Sequence, residues 1–105
     1  MMTTTIEHVT YQTVENADQG LLDKCNEQIN AFCLSQPGFL YRSISKNQND
    51  IWHDIVYWQD FSSAENAAKQ FSSTQVCQSL SKLVKQDTMK MQHMQALSEA
   101  MHDNA

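Results

Sequence analysis

The stretch that decides the fold is Ile51-Trp52-His53-Asp54-Ile55-Val56-Tyr57-Trp58-Gln59-Asp60. It is rich in aromatic and β-branched residues, so it reads as a strand. In a strand, alternate side chains point to opposite faces of the sheet. One set is Ile51, His53, Ile55, Tyr57 and Gln59; the other is Trp52, Asp54, Val56, Trp58 and Asp60. Both sets carry large apolar groups, so both faces of this strand call for cover.

Working back from it, Phe39 to Ser45 reads as a second strand. Its alternation puts Phe39 and Tyr41 on one face and Leu40, Arg42 and Ile44 on the other. The link Lys46-Asn47-Gln48-Asn49-Asp50 is polar and too short for a crossover, so these two strands pair antiparallel. Upstream, Leu21, Leu22, Cys25, Ile29, Phe32 and Cys33 follow the helical period, with Asn16 as the expected cap and Gln19 three residues on. Gln36-Pro37-Gly38 ends that helix. The chain opens with a loosely alternating strand, Thr5 to Val14, in which His8 falls on one face and Glu7, Val9 and Tyr11 on the other.

Downstream, Ser62 and Glu65 suggest the start of a second helix, with Ala64, Ala67, Ala68 and Phe71 along one stripe. Ser73 or Thr74 restarts a short helix bearing Val76, Cys77, Leu80, Leu83 and Val84. Thr88 to Leu97 reads as the last strand, with Met89, Met91 and His93 on one face and Met94 and Ala96 on the other. Residues 1–97 then form one domain and 98–105 a loosely held tail, where His102 is expected to be exposed.

The order strand, helix, strand, strand, helix, strand predicts an α+β, ferredoxin-like βαββαβ fold with a four-stranded antiparallel sheet. Right-handed crossovers place the helices on one face only. The other face would be a large exposed apolar patch, which soluble monomers avoid. A homodimer packed sheet against sheet is the economical answer.

Composition narrows the function classes. The chain has 105 residues, with 7 basic against 12 acidic side chains and a net charge of -5. The basic residues are scattered, so nucleic acid is not an expected partner. No apolar run reaches the roughly 18 residues of a membrane span, and the N-terminus lacks the features of a signal peptide. Cys25, Cys33 and Cys77 are an odd count without framework spacing, which suits reduced thiols in the cytoplasm. The only glycines are Gly20 and Gly38, so glycine-rich nucleotide loops are absent.

Asp54 lies among Trp52, Val56 and Trp58, where burial would raise its pKa and make it a candidate base. Alternatively, Arg42 or a tryptophan indole simply satisfies it. His93 is a second candidate base near neutral pH, or a hydrogen-bonded core histidine. A metal site would need His8, His53 and His93 on one face with close ligand spacing, which the sequence does not supply; no metal is assigned. Trp58, Trp52, Phe39 and Phe71 would wall a pocket for a planar ligand or fill the core. Arg42 would bind an anionic ligand, or pair with Asp54 or across the dimer.

Four segments carry a family resemblance: Pro37-Gly38-Phe39, Asp54-Ile55-Val56-Tyr57-Trp58, Ala64-x-x-Ala67-Ala68-x-x-Phe71 and Met91-x-His93. On them, from about Ile6 to Leu97, the chain resembles the dimeric α/β-barrel superfamily, and most closely its antibiotic-biosynthesis-monooxygenase-like branch. The resemblance implies a ligand cavity between sheet and helices in each subunit. For activity, it implies cofactor-independent oxidation of an aromatic or polyphenolic small molecule, with Asp54 or His93 as base. A non-enzymatic ligand-binding or stress-related dimer, or an isomerase using the same cavity, are the alternatives. The heme-degrading members' strand-one Asn and inward helix-two Trp are missing here, as is the helix-two His of many quinol-type members.

Overall fold

The structure, a computed structural model, describes residues 3–102. Its strands are β1 (Thr5–Tyr11), β2 (Phe39–Lys46), β3 (Trp52–Trp58) and β4 (Lys90–Gln95). The helices are α1 (Gln19–Leu34), α2 (Phe61–Phe71) and α3 (Gln75–Leu83), with a 3-10 turn at Gln86–Thr88. All strand pairs are antiparallel, in the order β2-β3-β1-β4. This is the α+β, ferredoxin-like arrangement expected from the sequence, with its helices on one face.

Several local expectations are corrected. Asp18, not Asn16, caps α1: its carboxylate accepts from the Leu21 amide. Asn16 instead takes a left-handed turn conformation, φ 60°, which Asn tolerates better than most residues. Asp60, not Ser62, caps α2 through the Ser63 amide at 2.8 Å. A carboxylate is favoured at this site because it meets the positive end of the helix dipole as well as a free N–H. The Ser62 hydroxyl donates to Asp60. Thr74 caps α3 as expected.

Strands β1, β3 and β4 are also shorter than expected, while β2 extends one residue further, to Lys46. Beyond Tyr11, β1 gives way to a single bridge between Thr13 and Val84. The residues just before β4 coil into the 3-10 turn.

The faces of β2 are the substantive correction. Phe39 pairs with Trp58 and Tyr41 with Tyr57, so two residues on β2 are passed for one step on β3. A β-bulge at Leu40 inverts the alternation. Phe39 therefore joins Arg42 and Ile44 on the helix side, while Tyr41 turns outward with Ser43 and Ser45.

The core lies between the sheet and the helices. Val56 and Trp58 of β3 pack against Ala64 and Ala67 of α2, with Phe32 and Phe39 alongside. Cys25, Ile29 and Cys33 of α1 pack against Val76 of α3. Alanines let α2 lie close to the sheet, and Gly38 brings it closer still. A Cβ on Gly38 would stand 2.6 Å from Ser63 Cβ, and its φ of 82° is one that only glycine adopts freely.

On the opposite face stand Ile6, Ile55, Tyr57, Tyr41 and Met94, with no helix or strand of the described residues over them. No helix is long and apolar enough to cross a membrane among the described residues.

Candidate functional site

A cavity of about 330 Å³ opens between the helix face of the sheet and all three helices. Trp58 and Val56 of β3, Phe32 of α1, Phe71 of α2 and Leu80 of α3 give it apolar walls. On the sheet side its polar residues are Glu7 and Tyr11 of β1, Arg42 of β2 and Asp54 of β3; Ser72, Ser81 and Gln86 add uncharged polar side chains from the helix side. The helices otherwise present small and apolar residues at helical spacing, whereas the strands place their polar residues among their inward-facing positions.

The floor is a fixed ion pair. Arg42 Nε donates to Asp54 Oδ1 at 3.1 Å and its Nη2 to Oδ2 at 2.8 Å. The same guanidinium donates to the side-chain oxygens of Asn26 and Asn30 on α1. The Arg42 side chain is only 2% exposed and Asp54 16%. A planar guanidinium suits this because its donors match a carboxylate two at a time. The result is a buried charge neutralised in place and a carboxylate with both oxygens engaged.

Glu7 is different. Its Oε2 lies 3.2 Å from His93 Nε2, its cross-strand neighbour on β4. Burial pushes the Glu7 carboxyl above the usual carboxylate range. The His93 hydrogen bond and charge oppose this, the Asp54 charge adds to it, and the Trp58 indole opposes it weakly. Tyr11, buried and facing Asp54, has its phenol pushed up to about 12, so it stays a hydrogen-bond donor at neutral pH. The Tyr11 hydroxyl and the Trp58 indole nitrogen are buried and make no full hydrogen bond among the described residues. Cys33 also lines the cavity, and burial pushes its thiol up to about 11.

The structure thus brings Asp54, Arg42, Trp58 and Phe71 to one cavity. Phe39 stands behind Trp58, edge-on at 5.7 Å between ring centroids, and does not line it. His93 stands behind Glu7, edge-on to Phe61. Trp52 lies at the far end of the sheet, stacked on Tyr11 and under the Lys46 ammonium. There it borders a wider hollow of about 670 Å³ lined chiefly by polar loop residues. The cavity between sheet and helices is the better candidate site, since its buried titratable groups and apolar walls converge on one volume.

His8 and His53 meet on the opposite face, Nε2 to Nδ1 at 3.0 Å, away from His93. Among the described residues no three potential metal ligands converge.

Glu7 was missed in the sequence because a lone Glu in a loosely alternating strand looks solvent-exposed. The available signal was parity: Glu7 shares its face with Val9 and Tyr11, so a buried Tyr11 carries Glu7 inward.

No protein-family model matches the chain, and no curated protein matches it. Solved structures do. A single-site variant of SnoaB, a cofactor-independent oxygenase from Streptomyces nogalater, superposes with a TM-score of 0.72 at 20% identity, covering 90% of this chain and 95% of that one. A proposed antibiotic biosynthesis monooxygenase from Nitrosomonas europaea gives 0.74 at 8% identity, covering 92% and 93%. A conserved protein from Methanosarcina mazei Go1 gives 0.73 at 14% identity, covering 89% and 92%. At such identities the likeness is one of fold: this chain shares the fold of these proteins, in keeping with the resemblance drawn from its sequence.

Proposed function

We propose that this chain is a small monooxygenase-like enzyme. It would use dioxygen to oxidise an aromatic or polyphenolic molecule without a tightly bound cofactor. The observation that carries the proposal is the cavity itself. It is sized for a small planar ligand, walled by Trp58 and Phe71, with Glu7, Tyr11, Arg42 and Asp54 as polar residues among its apolar walls. A mostly apolar pocket with a few convergent polar groups is the usual form of a small-molecule site. The fold shared with a cofactor-independent oxygenase supports the same reading, as an analogy of fold.

In such chemistry the ionised substrate is itself the electron donor to oxygen, and the protein supplies a dry pocket, orientation and proton handling. Asp54, held by Arg42, would orient a ligand hydroxyl. The working unit would be a homodimer. Ile6, Ile55, Tyr57, Tyr41 and Met94 form an uncovered apolar sheet face, for which a second copy is a self-complementary cover. Three free thiols support a reducing compartment such as the cytoplasm.

The test is oxygen consumption with a panel of hydroquinones. Uptake that is lost in Trp58→Ala is expected; no uptake with any member of the panel would overturn the oxygenase reading. The same cavity also suits an isomerase, since proton transfer alone needs no oxidant. Turnover of such a substrate without oxygen uptake would establish that alternative.

A further inference from the structure

The geometry points to Glu7 as the group that takes the proton from a ligand hydroxyl in the cavity, and to His93 as the positioning residue that passes it to solvent. This rests on the reading of the cavity as a site for phenolic ligands. Asp54 is poorly placed for that work, because both its oxygens already accept from Arg42. Glu7 lines the cavity; its Oε2 lies 3.2 Å from His93 Nε2, and the Trp58 indole beside it is only a weak partner. The carboxylate therefore keeps acceptor capacity for a ligand hydroxyl while it faces the imidazole. His93 sits on the edge strand with its side chain 30% exposed, against 15% for Glu7. The order cavity, Glu7, His93, solvent is a graded path outward.

The step balances without an oxidant. The ligand O–H bond breaks, its proton forms an O–H bond on Glu7, and the phenolate keeps the electron pair. With the imidazole in its Nδ1–H tautomer, the carboxyl O–H then breaks as the Nε2 lone pair takes the proton; the imidazolium, now donating Nε2–H to the restored carboxylate, loses a proton to water and returns to that tautomer by exchange with solvent. Desolvation makes Glu7 a stronger base than an exposed carboxylate, in the direction that general-base catalysis near neutral pH needs. The titratable groups around it are His93 from β4, Asp54 from β3, Arg42 from β2, Tyr11 from its own strand, Cys33 from α1 and Cys77 from α3; α2 adds only uncharged side chains to the cavity.

Two measurements test the inference. The first needs no activity: the carboxyl carbon of Glu7 is followed by NMR, assigned through Glu7→Gln, while para-methoxyphenol is added and its binding is read from tryptophan fluorescence. The Glu7 signal is expected to move more than that of any other glutamate. Binding without that movement would overturn the assignment of Glu7 and leave the cavity reading standing. No binding would overturn both. The second uses whichever hydroquinone is consumed. Glu7→Gln is expected to lower kcat about a hundredfold or more, the usual contribution of a general base, and to remove the acid limb of the pH profile. Glu7→Asp retains that limb. His93→Gln should lower kcat with KM unchanged and move the acid limb to higher pH, because His93 holds the Glu7 carboxyl down. A His93→Gln profile with an unmoved limb would overturn the relay, and an unaltered Glu7→Gln rate would overturn the base.

Discussion

The ion pair on the cavity floor makes a demanding prediction. Arg42→Met removes all four hydrogen bonds of the guanidinium and leaves the Asp54 carboxylate, 16% exposed, without its counter-charge. Removing one partner of a buried pair costs about 3–5 kcal/mol, and the residual exposure of Asp54 places this case near 3. Asp54→Leu should cost about as much, since Arg42 is the more buried partner, though Asn26 and Asn30 still hold it. Asn26 is half-buried and Asn30 exposed, so water can replace the lost guanidinium there. With both changes together no charge is stranded, and apolar replacements of a buried pair are often close to neutral. The double variant should therefore lie within about 1–2 kcal/mol of the parent, a coupling of at least about 2 kcal/mol, where independent sites would add to within ~0.5 kcal/mol. Urea unfolding followed by tryptophan fluorescence measures this, with equal slopes confirming that the midpoints report stability. Additive losses would refute the claim that Arg42 and Asp54 form one unit in the core.

Four further outcomes follow from the same structure. Glu7→Gln should raise Tm at neutral pH: the native carboxyl binds its proton more tightly than the unfolded one, so its cost to stability is full above the native pKa and vanishes below the ordinary value near 4.3. A gain in Tm that persisted undiminished at pH 3 would contradict that. Cys33, buried and with its thiol pushed up to about 11, should resist iodoacetamide at pH 8, while the partly exposed Cys77 reacts first; mass spectrometry of the labelled peptides decides the order. Ala68→Phe, at an exposed position on the cavity wall, should weaken para-methoxyphenol binding about tenfold or more while changing stability by under about 0.5 kcal/mol, as surface substitutions usually do. Light scattering should give the mass of a dimer for the parent chain and of a monomer for Tyr57→Lys, which buries a charge in the proposed sheet-to-sheet contact; a parent monomer at micromolar concentration would refute the dimer.

Much of the architecture was legible because the strongest signals are periodic. The two-sided apolar pattern of β3 and the alanine stripe of α2 fixed the layers, and the short link between β2 and β3 fixed their pairing. Trp58, Asp54 and Arg42 could be placed near one another because pairing and parity are enough to do so. What was not legible depends on single residues. Asp18 and Asn16, or Asp60 and Ser62, are equally good caps on composition, and only the path of the incoming chain selects one. Glu7 needed the burial of Tyr11 to be known first. His93 was singled out on its chemistry and Trp52 because it shares a strand face with Trp58, and strand order put one behind Glu7 and the other beyond the end of the cavity.

The bulge at Leu40 also gives β2 an unusual arithmetic. Leu40 is the one residue of the strand that has no opposite number on β3, and its side chain is 42% exposed. Deleting it would return the strand to strict alternation with Phe39 still inward, Tyr41 still outward and Arg42 still over Asp54. Deleting a single residue from Ser43 to Ser45 would instead reverse the orientation of the strand on one side of the gap. Tolerance to shortening in this strand is thus confined to the bulge, where Leu40 could also take the place of Tyr41, and length variation elsewhere along it would be read as a change of sidedness.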